Sequence, residues 1–180
     1  MRQRWAMCAM GAWLLGTVLV SIVATENFFT VDRLLAGSTS ASFHAFVERT
    51  GQPQTRELLR YLSSELNRLY FQLWNVMQLA LGLLVVWLIG RDSSVTRAWW
   101  GIVAMLSVVV LMTVWLAPEI TIVGRSLDFV PRDPPPPALA RFRMLHAAYT
   151  ALEMGKLLVG VVVTLWISRI TAVRAPVENR

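Results

Sequence analysis

The chain has 180 residues, of which 56% are apolar and only 16% charged, and its mean hydropathy is +0.53. A soluble domain is about half apolar, with about a quarter of its residues charged, so this composition excludes an ordinary soluble fold and points to a lipid bilayer. The net charge of +6 comes from 16 Arg and one Lys against 11 acids. The arginines alternate with acids, as in Glu57, Arg60, Glu65 and Arg68. They form no tract, so they read as charge facing lipid headgroups, and no nucleic-acid partner is expected. The lone cysteine, Cys8, excludes an intrachain disulfide and with it paired-cysteine membrane thiol chemistry. Its bland reading is a small residue packed in the first helix.

The first apolar run, Trp5–Ala24, follows Met1-Arg-Gln-Arg. It is longer than the apolar region of a cleaved leader, which has roughly 7–15 residues, so it reads as an uncleaved signal-anchor and first span. Ser21-Ile-Val-Ala24 is the one cleavage context in it. Ala12-x-x-x-Gly16 offers a small-residue face to a neighbouring helix.

A connection over residues 25–68 follows, opening on Glu26-Asn-Phe-Phe. Gly37-Ser-Thr-Ser marks a turn, Ser40 or Ser42 caps a short helix through Val47, and Gly51-Gln-Pro53 breaks the chain again. From Gln54 the pattern is helical. Leu58, Leu59, Leu62, Leu66 and Leu69 lie toward one side, with Arg56, Arg60, Ser63 and Asn67 toward the other. No breaker separates this stretch from the second apolar run, Leu69–Leu88, so one helix is predicted from about Gln54 to Leu88. At 1.5 Å per residue it is ~50 Å long and projects well beyond a hydrocarbon core of about 30 Å.

Gly90–Arg97 is a short link that forces an antiparallel hairpin into the third run, Ala98–Leu116. Trp99 and Trp100 open that run and Trp115 closes it, as expected for interfacial aromatic belts. A second long connection, residues 117–144, contains Val130-Pro-Arg-Asp-Pro-Pro-Pro-Pro137, which reads as a semi-rigid polyproline II spacer. The fourth run, Leu145–Ile167, completes the set, and the tail to Arg180 reads as frayed. The chain is therefore read as one all-α integral membrane domain over residues 1–180, a four-helix bundle with a long helix extending out of the membrane into span two.

The N-terminus, the short link and the tail carry Arg2, Arg4, Arg91, Arg97, Arg169, Arg174 and Arg180 against Asp92 and Glu178. The other face has nine arginines balanced by eight acids. Because the positive-inside rule weights short loops, both termini are expected on the cytoplasmic side, at the inner membrane if the source is bacterial.

The fourth run carries Glu153 and Lys156, the latter the only lysine. They are three apart and can pair along a helix. His146, Thr150, Glu153 and Gly160 share a stripe on this span, and Arg68, Gln72, Asn75 and Gly82 share one on span two, with Gln78 on its flank. Even-numbered spans run in the same direction, so these groups fall at one depth. A candidate polar cluster of Gln72, Asn75, Gln78, His146, Glu153 and Lys156 follows. Insertion of a charge at a helix centre costs about 2.5–3.5 kcal/mol, so Glu153 and Lys156 are expected to face the bundle. There they either bind an ion, a proton or a small polar ligand, or neutralise each other and join span four to span two or to a partner subunit.

The two histidines, His44 and His146, leave a single b-type haem as an alternative, and no other cofactor or metal is expected. No His-Glu-x-x-His, Cys-x-x-Cys, P-loop or Gly-x-Ser-x-Gly pattern occurs. Without a catalytic constellation, the expected role is non-enzymatic: a membrane subunit or scaffold docking a protein partner, or a second copy, on the side of the long connections. The alternatives are a small transporter or ligand-binding protein using Glu153 and Lys156, and a redox anchor holding one haem or a quinone.

Leu69-Tyr-Phe-Gln-Leu-Trp74 and Arg141-Phe-Arg-Met-Leu-His146, followed by Tyr149, resemble the starts of spans two and four in small four-helix membrane proteins of unknown function related to transmembrane protein 205. The likeness covers about a third of the chain. The chain departs from the pattern in lacking a proline near Tyr70, in Ala147 where glycine is usual, and in Glu153 near a position that is often Asn. The resemblance implies a four-span fold and no reaction, and it makes His146 a landmark at the helix mouth.

Overall fold

The computed structural model describes residues 2–90 and 96–173. Helix α1 spans Arg2–Gly37, α2 Ala41–Thr50, α3 Gln52–Ile89, α4 Thr96–Leu111, α5 Ala117–Arg125 and α6 Ala138–Val173. A π-helical turn, Met112–Leu116, joins α4 to α5. Four helical segments are long and apolar enough to cross a bilayer: α1, α3, α4 continued through α5, and α6. The chain is an all-α, multi-pass membrane bundle, with no strand among the described residues.

The helix predicted from Gln54 to Leu88 is α3, two residues longer at its start and one at its end. Gly51, at φ 91°, lets the chain reverse between α2 and α3, and Pro53 enters the first turn of α3, where a missing N–H costs nothing. Ser40 is the cap of α2, accepting from the Phe43 N–H at 3.3 Å.

The first connection differs from expectation. It does not begin at Glu26, because α1 continues through it to Gly37. No glycine or proline interrupts Thr25–Ala36, and two polar residues there, Asn27 and Asp32, find partners on α3. Asn67 donates to the Ala24 carbonyl at 2.8 Å and accepts from Asn27 at 2.6 Å. The Ser63 hydroxyl donates to the Asn27 carbonyl at 3.2 Å. Helix α1 therefore joins α3 in carrying the bundle beyond its apolar spans.

Span three also runs past its expected end at Leu116. Pro118 lacks an N–H and its ring would crowd the carbonyl four residues back. The π turn opens the spiral ahead of it, with the Ala117 N–H donating to the carbonyl of Met112, five residues earlier. The helix resumes as α5 and reaches Arg125. Span four begins earlier than expected, at Ala138, directly after the proline run.

Two apolar cores hold the bundle. One gathers Met10, Trp13, Val85, Ile102, Met105 and Val163, and the other gathers Met112, Leu116, Val123, Leu145 and Tyr149. Close approach of the helices is needed around the first core. A side chain on Gly82 would collide with Leu106 and Trp13, and one on Gly16 would collide with the Trp74 ring. Gly16, the second residue of the Ala12-x-x-x-Gly16 pair, thus admits an indole from α3. Within α1 the Thr17, Ser21 and Thr25 hydroxyls each donate to the carbonyl four residues back, so none is left unpaired in lipid. Cys8 is exposed rather than packed as expected. Arg91, Asp92, Arg174, Glu178 and Arg180, which enter the orientation argument, lie outside the described residues, as do most of the Gly90–Arg97 link and the tail.

Candidate functional site

Three helices bring polar side chains together at the junction of the two apolar cores. Gln78 on α3 is fully buried, and its Oε1 accepts from the Trp13 Nε1–H of α1 at 3.0 Å and from the Lys156 ammonium of α6. Its Nε2 donates to Asn75 Oδ1 at 3.4 Å, and the same oxygen accepts from the Tyr149 hydroxyl at 3.3 Å. Lys156 Nζ stands 2.7 Å from Glu153 Oε2. Oε2 of Glu153 thus lies against the ammonium in an ion pair, and Oε1 is buried without a hydrogen-bond donor.

The amides act as hubs. Each amide oxygen takes two donors, which fills both of its lone-pair directions. Antiparallel α1 and α3 fix the register, since the Trp13–Gln78 and Ala24–Asn67 contacts are equally spaced along both helices. Parallel α3 and α6 bring Asn75 to Tyr149 and Gln78 to Lys156. Phe71 closes the cluster on the side of the long connections, with its ring 5.4 Å from that of Tyr149 at a steep angle.

Of the six residues singled out in the sequence, Asn75, Gln78, Glu153 and Lys156 meet. Gln72 and His146 do not join them, because both are exposed. With 3.6 residues per turn, Gln72 points roughly 90° away from the direction shared by Phe71, Gln78 and Gly82. His146 has nearly the same direction as Glu153 but lies about two turns nearer the helix start. Its ring stacks on Phe142 at 5.9 Å. His44 is held on α2, where its Nε2 lies 2.5 Å from the Ser38 carbonyl oxygen.

Trp13 and Tyr149 belong to the cluster and were missed. The signal for Trp13 was available. An indole in mid-span, far from either aromatic belt, has an N–H that lipid cannot satisfy. Tyr149 is four residues before Glu153, one turn away on the same face.

A second polar assembly lies where α3, α5 and α6 emerge. Arg68 binds Asp128 at 2.9 Å and also pairs with Glu65, which lies 3.6 Å from Arg125. Arg141 on α6 binds Glu119 on α5 at 2.7 Å. An apolar cleft of about 270 Å³ opens between α1 and α3, lined by Leu19, Val23, Tyr70, Leu73, Trp74 and Met77. It has the chemistry of a lipid acyl chain and shares no residue with the polar cluster. Among the described residues no group of three or more His, Cys, Asp or Glu is gathered to hold a metal. The chain matches no protein-family model, no curated protein and no solved structure.

Proposed function

We propose that this protein is a non-enzymatic membrane subunit that docks a protein partner on the side of the long connections. The observation that carries the proposal is the orientation of α3 beyond the membrane. Thr55, Ser63 and Asn67 face inward there, while Leu58 and Leu62 are about half exposed. From Leu69, where the apolar run begins, Leu62 lies ~10 Å and Leu58 ~16 Å outward along the helix, above the hydrocarbon. An amphipathic helix normally turns its apolar stripe to a neighbour, and here Ser63 and Asn67 already occupy α1. The reading places both termini on the cytoplasmic side, at the inner membrane if the source is bacterial. The resemblance to proteins related to transmembrane protein 205 is compatible with it, since it implies a fold and no reaction.

The test is gentle solubilisation of the native protein followed by mass spectrometry of what accompanies it. A stoichiometric protein companion or a homo-oligomer is the expected result. Recovery of monomers alone counts against the reading.

A second reading is favoured by one observation, the buried Glu153 carboxylate, whose Oε2 has the Lys156 ammonium beside it and whose Oε1 lacks a hydrogen-bond donor. A buried acceptor without a donor invites a proton or a cation, so Glu153 is the residue through which the bundle would take one up. Labelling of Glu153 by a hydrophobic carbodiimide, suppressed by added cation, is the expected signature. A Glu153 that stays unlabelled at every pH and salt concentration removes this reading.

A further inference from the structure

The outward face of α3 has a regularity that the amphipathic pattern alone does not require. From Leu59 to Trp87 every third and then fourth position is apolar, which is the 3.5-residue repeat of a coiled-coil seam. Leu62, Leu69, Val76 and Leu83 are one heptad apart along it, and they are 54%, 48%, 59% and 63% exposed. The bundle core draws on other positions of the same heptads, including Asn75, Gln78 and Gly82. One helix therefore has two faces, one committed to its own bundle and one uncovered. Lipid accounts for the uncovered face within the span, but not for its continuation to Leu62, outside the hydrocarbon, where the neighbouring seam positions Leu59 and Leu66 are half-buried.

We infer that this face is covered by α3 of a second copy of the same chain, in a parallel two-fold seam running from the extramembrane layer into the bilayer. The inference rests on the subunit reading above and names the partner.

Three features choose a second copy. Copies inserted in one membrane share one direction, so α3 meets α3 parallel and in register, as a strict repeat requires. A heptad repeat is complementary to itself, whereas an unrelated partner would have to match it by coincidence over the whole stretch. The positions flanking the seam between Leu58 and Leu79 carry one charge, Glu65, which already pairs with Arg68 in its own chain, so the two copies do not repel. In a parallel pair the flanking positions also set Glu65 of one copy beside Tyr70 of the other, an acceptor beside a hydroxyl donor.

The test uses the full chain in native membranes, with Cys8→Ser as background so that no native thiol interferes. Leu62→Cys and Leu69→Cys are placed in the seam, and Glu57→Cys on the opposite, exposed side of the same helix is the control. Oxidation with copper phenanthroline is expected to shift the first two from monomer to dimer mass and to leave the third monomeric. In parallel, the otherwise unaltered protein in lipid nanodiscs is expected at dimer mass, and Leu62→Arg is expected to shift it to monomer. Dimer formation at Glu57→Cys alone, or a monomer with no cross-link at either seam position, overturns the inference. A photo-cross-linker at position 62 then separates the two proposals. Capture of a different protein there overturns the self-seam and leaves the subunit reading standing. Capture of nothing, with position 62 freely modified by a water-soluble maleimide, removes both.

Discussion

The protein builds two polar assemblies about two to three helical turns apart, with opposite logic. In mid-membrane, one ion pair is set among neutral hydrogen-bond formers: Gln78, Asn75, Trp13 and Tyr149 surround Glu153 and Lys156. At the helix mouths, Arg68, Glu65, Asp128 and Arg125 share charge in a chain of ion pairs, with Arg141 and Glu119 pairing nearby. The difference is the solvent. Where water is near, an ion pair is weak because each partner does nearly as well alone, commonly giving about 0.2–1 kcal/mol. Where lipid surrounds the bundle, neither partner can do without the other, and a single pair needs amides to take up the remaining donors.

The sharpest way to break this contrast is to remove one charge from the inner assembly. Glu153→Leu leaves the Lys156 ammonium in the bundle with only the Gln78 oxygen, and a loss of about 3–5 kcal/mol is expected. The double variant Glu153→Leu/Lys156→Met removes both charges and should recover most of that loss. Thermal unfolding in detergent, followed by tryptophan emission, measures both. If the double variant is as unstable as the single one, the ion pair is not what makes the site costly to break.

Next in size is Gln78→Leu, which takes the acceptor from both Trp13 and Lys156 while keeping the volume apolar. Hydrogen bonds to charged groups are worth about 1.5–3 kcal/mol, so a loss of ~2 kcal/mol is expected in the same assay. Gln72→Leu, on the exposed flank of the same helix, should change it little. A comparable loss from the two would mean that depth, rather than the network, sets the cost.

The two glutamines also show how far the sequence could be read. Hydropathy located all four spans, because a bilayer imposes length and apolarity on each helix separately. It located Asn75, Gln78, Glu153 and Lys156 because polar groups on parallel spans at one depth have few places to go. It failed where the decision belonged to a neighbour. Gln72 fell outside the cluster because the rotation of α3 is set by Gly82 against Leu106 and by Trp74 against Gly16, contacts that no single span reveals. His146 failed by depth, since the helices at that level leave it exposed. The extension of α1 past Glu26 was concealed because its charges read as a connection. What kept it helical was a matching strip on α3, Ser63 and Asn67, some forty positions away in the chain. The third run ended at Leu116 in the sequence, two residues before Pro118, but the π turn before that proline made room for the helix to continue.

A third measurement compares the outer assembly with the inner one. Asp128→Ala removes the bond to Arg68, whose side chain is 15% exposed while that of Asp128 is 17%. Such a pair lies between the two regimes. A loss of about 1 kcal/mol is expected, toward the upper end for pairs near water, and it should shrink as salt is raised, because screening reaches partly exposed charges. The Glu153→Leu loss should not respond to salt. If both variants respond alike, the inner pair is hydrated and the contrast between the assemblies fails.

The smallest expected effect lies farthest from the bilayer. Arg33 reaches back to Glu26 at 2.5 Å, yet their side chains are 66% and 49% exposed. Geometry alone would make this contact look stronger than the Glu153–Lys156 pair, since it is shorter and Arg33 also donates to the Thr30 hydroxyl at 3.0 Å. Exposure argues otherwise. Water solvates both partners when they separate, and holding two long side chains in one arrangement costs entropy, so Arg33→Ala should lower stability by roughly 0.5 kcal/mol or less. Measured by the same unfolding assay, an effect as large as that of Asp128→Ala would show that the extension of α1 is covered in the native assembly. The cover would then be the same second copy whose seam begins on α3 beside it, and the cross-linked dimer would be the form in which to repeat the measurement.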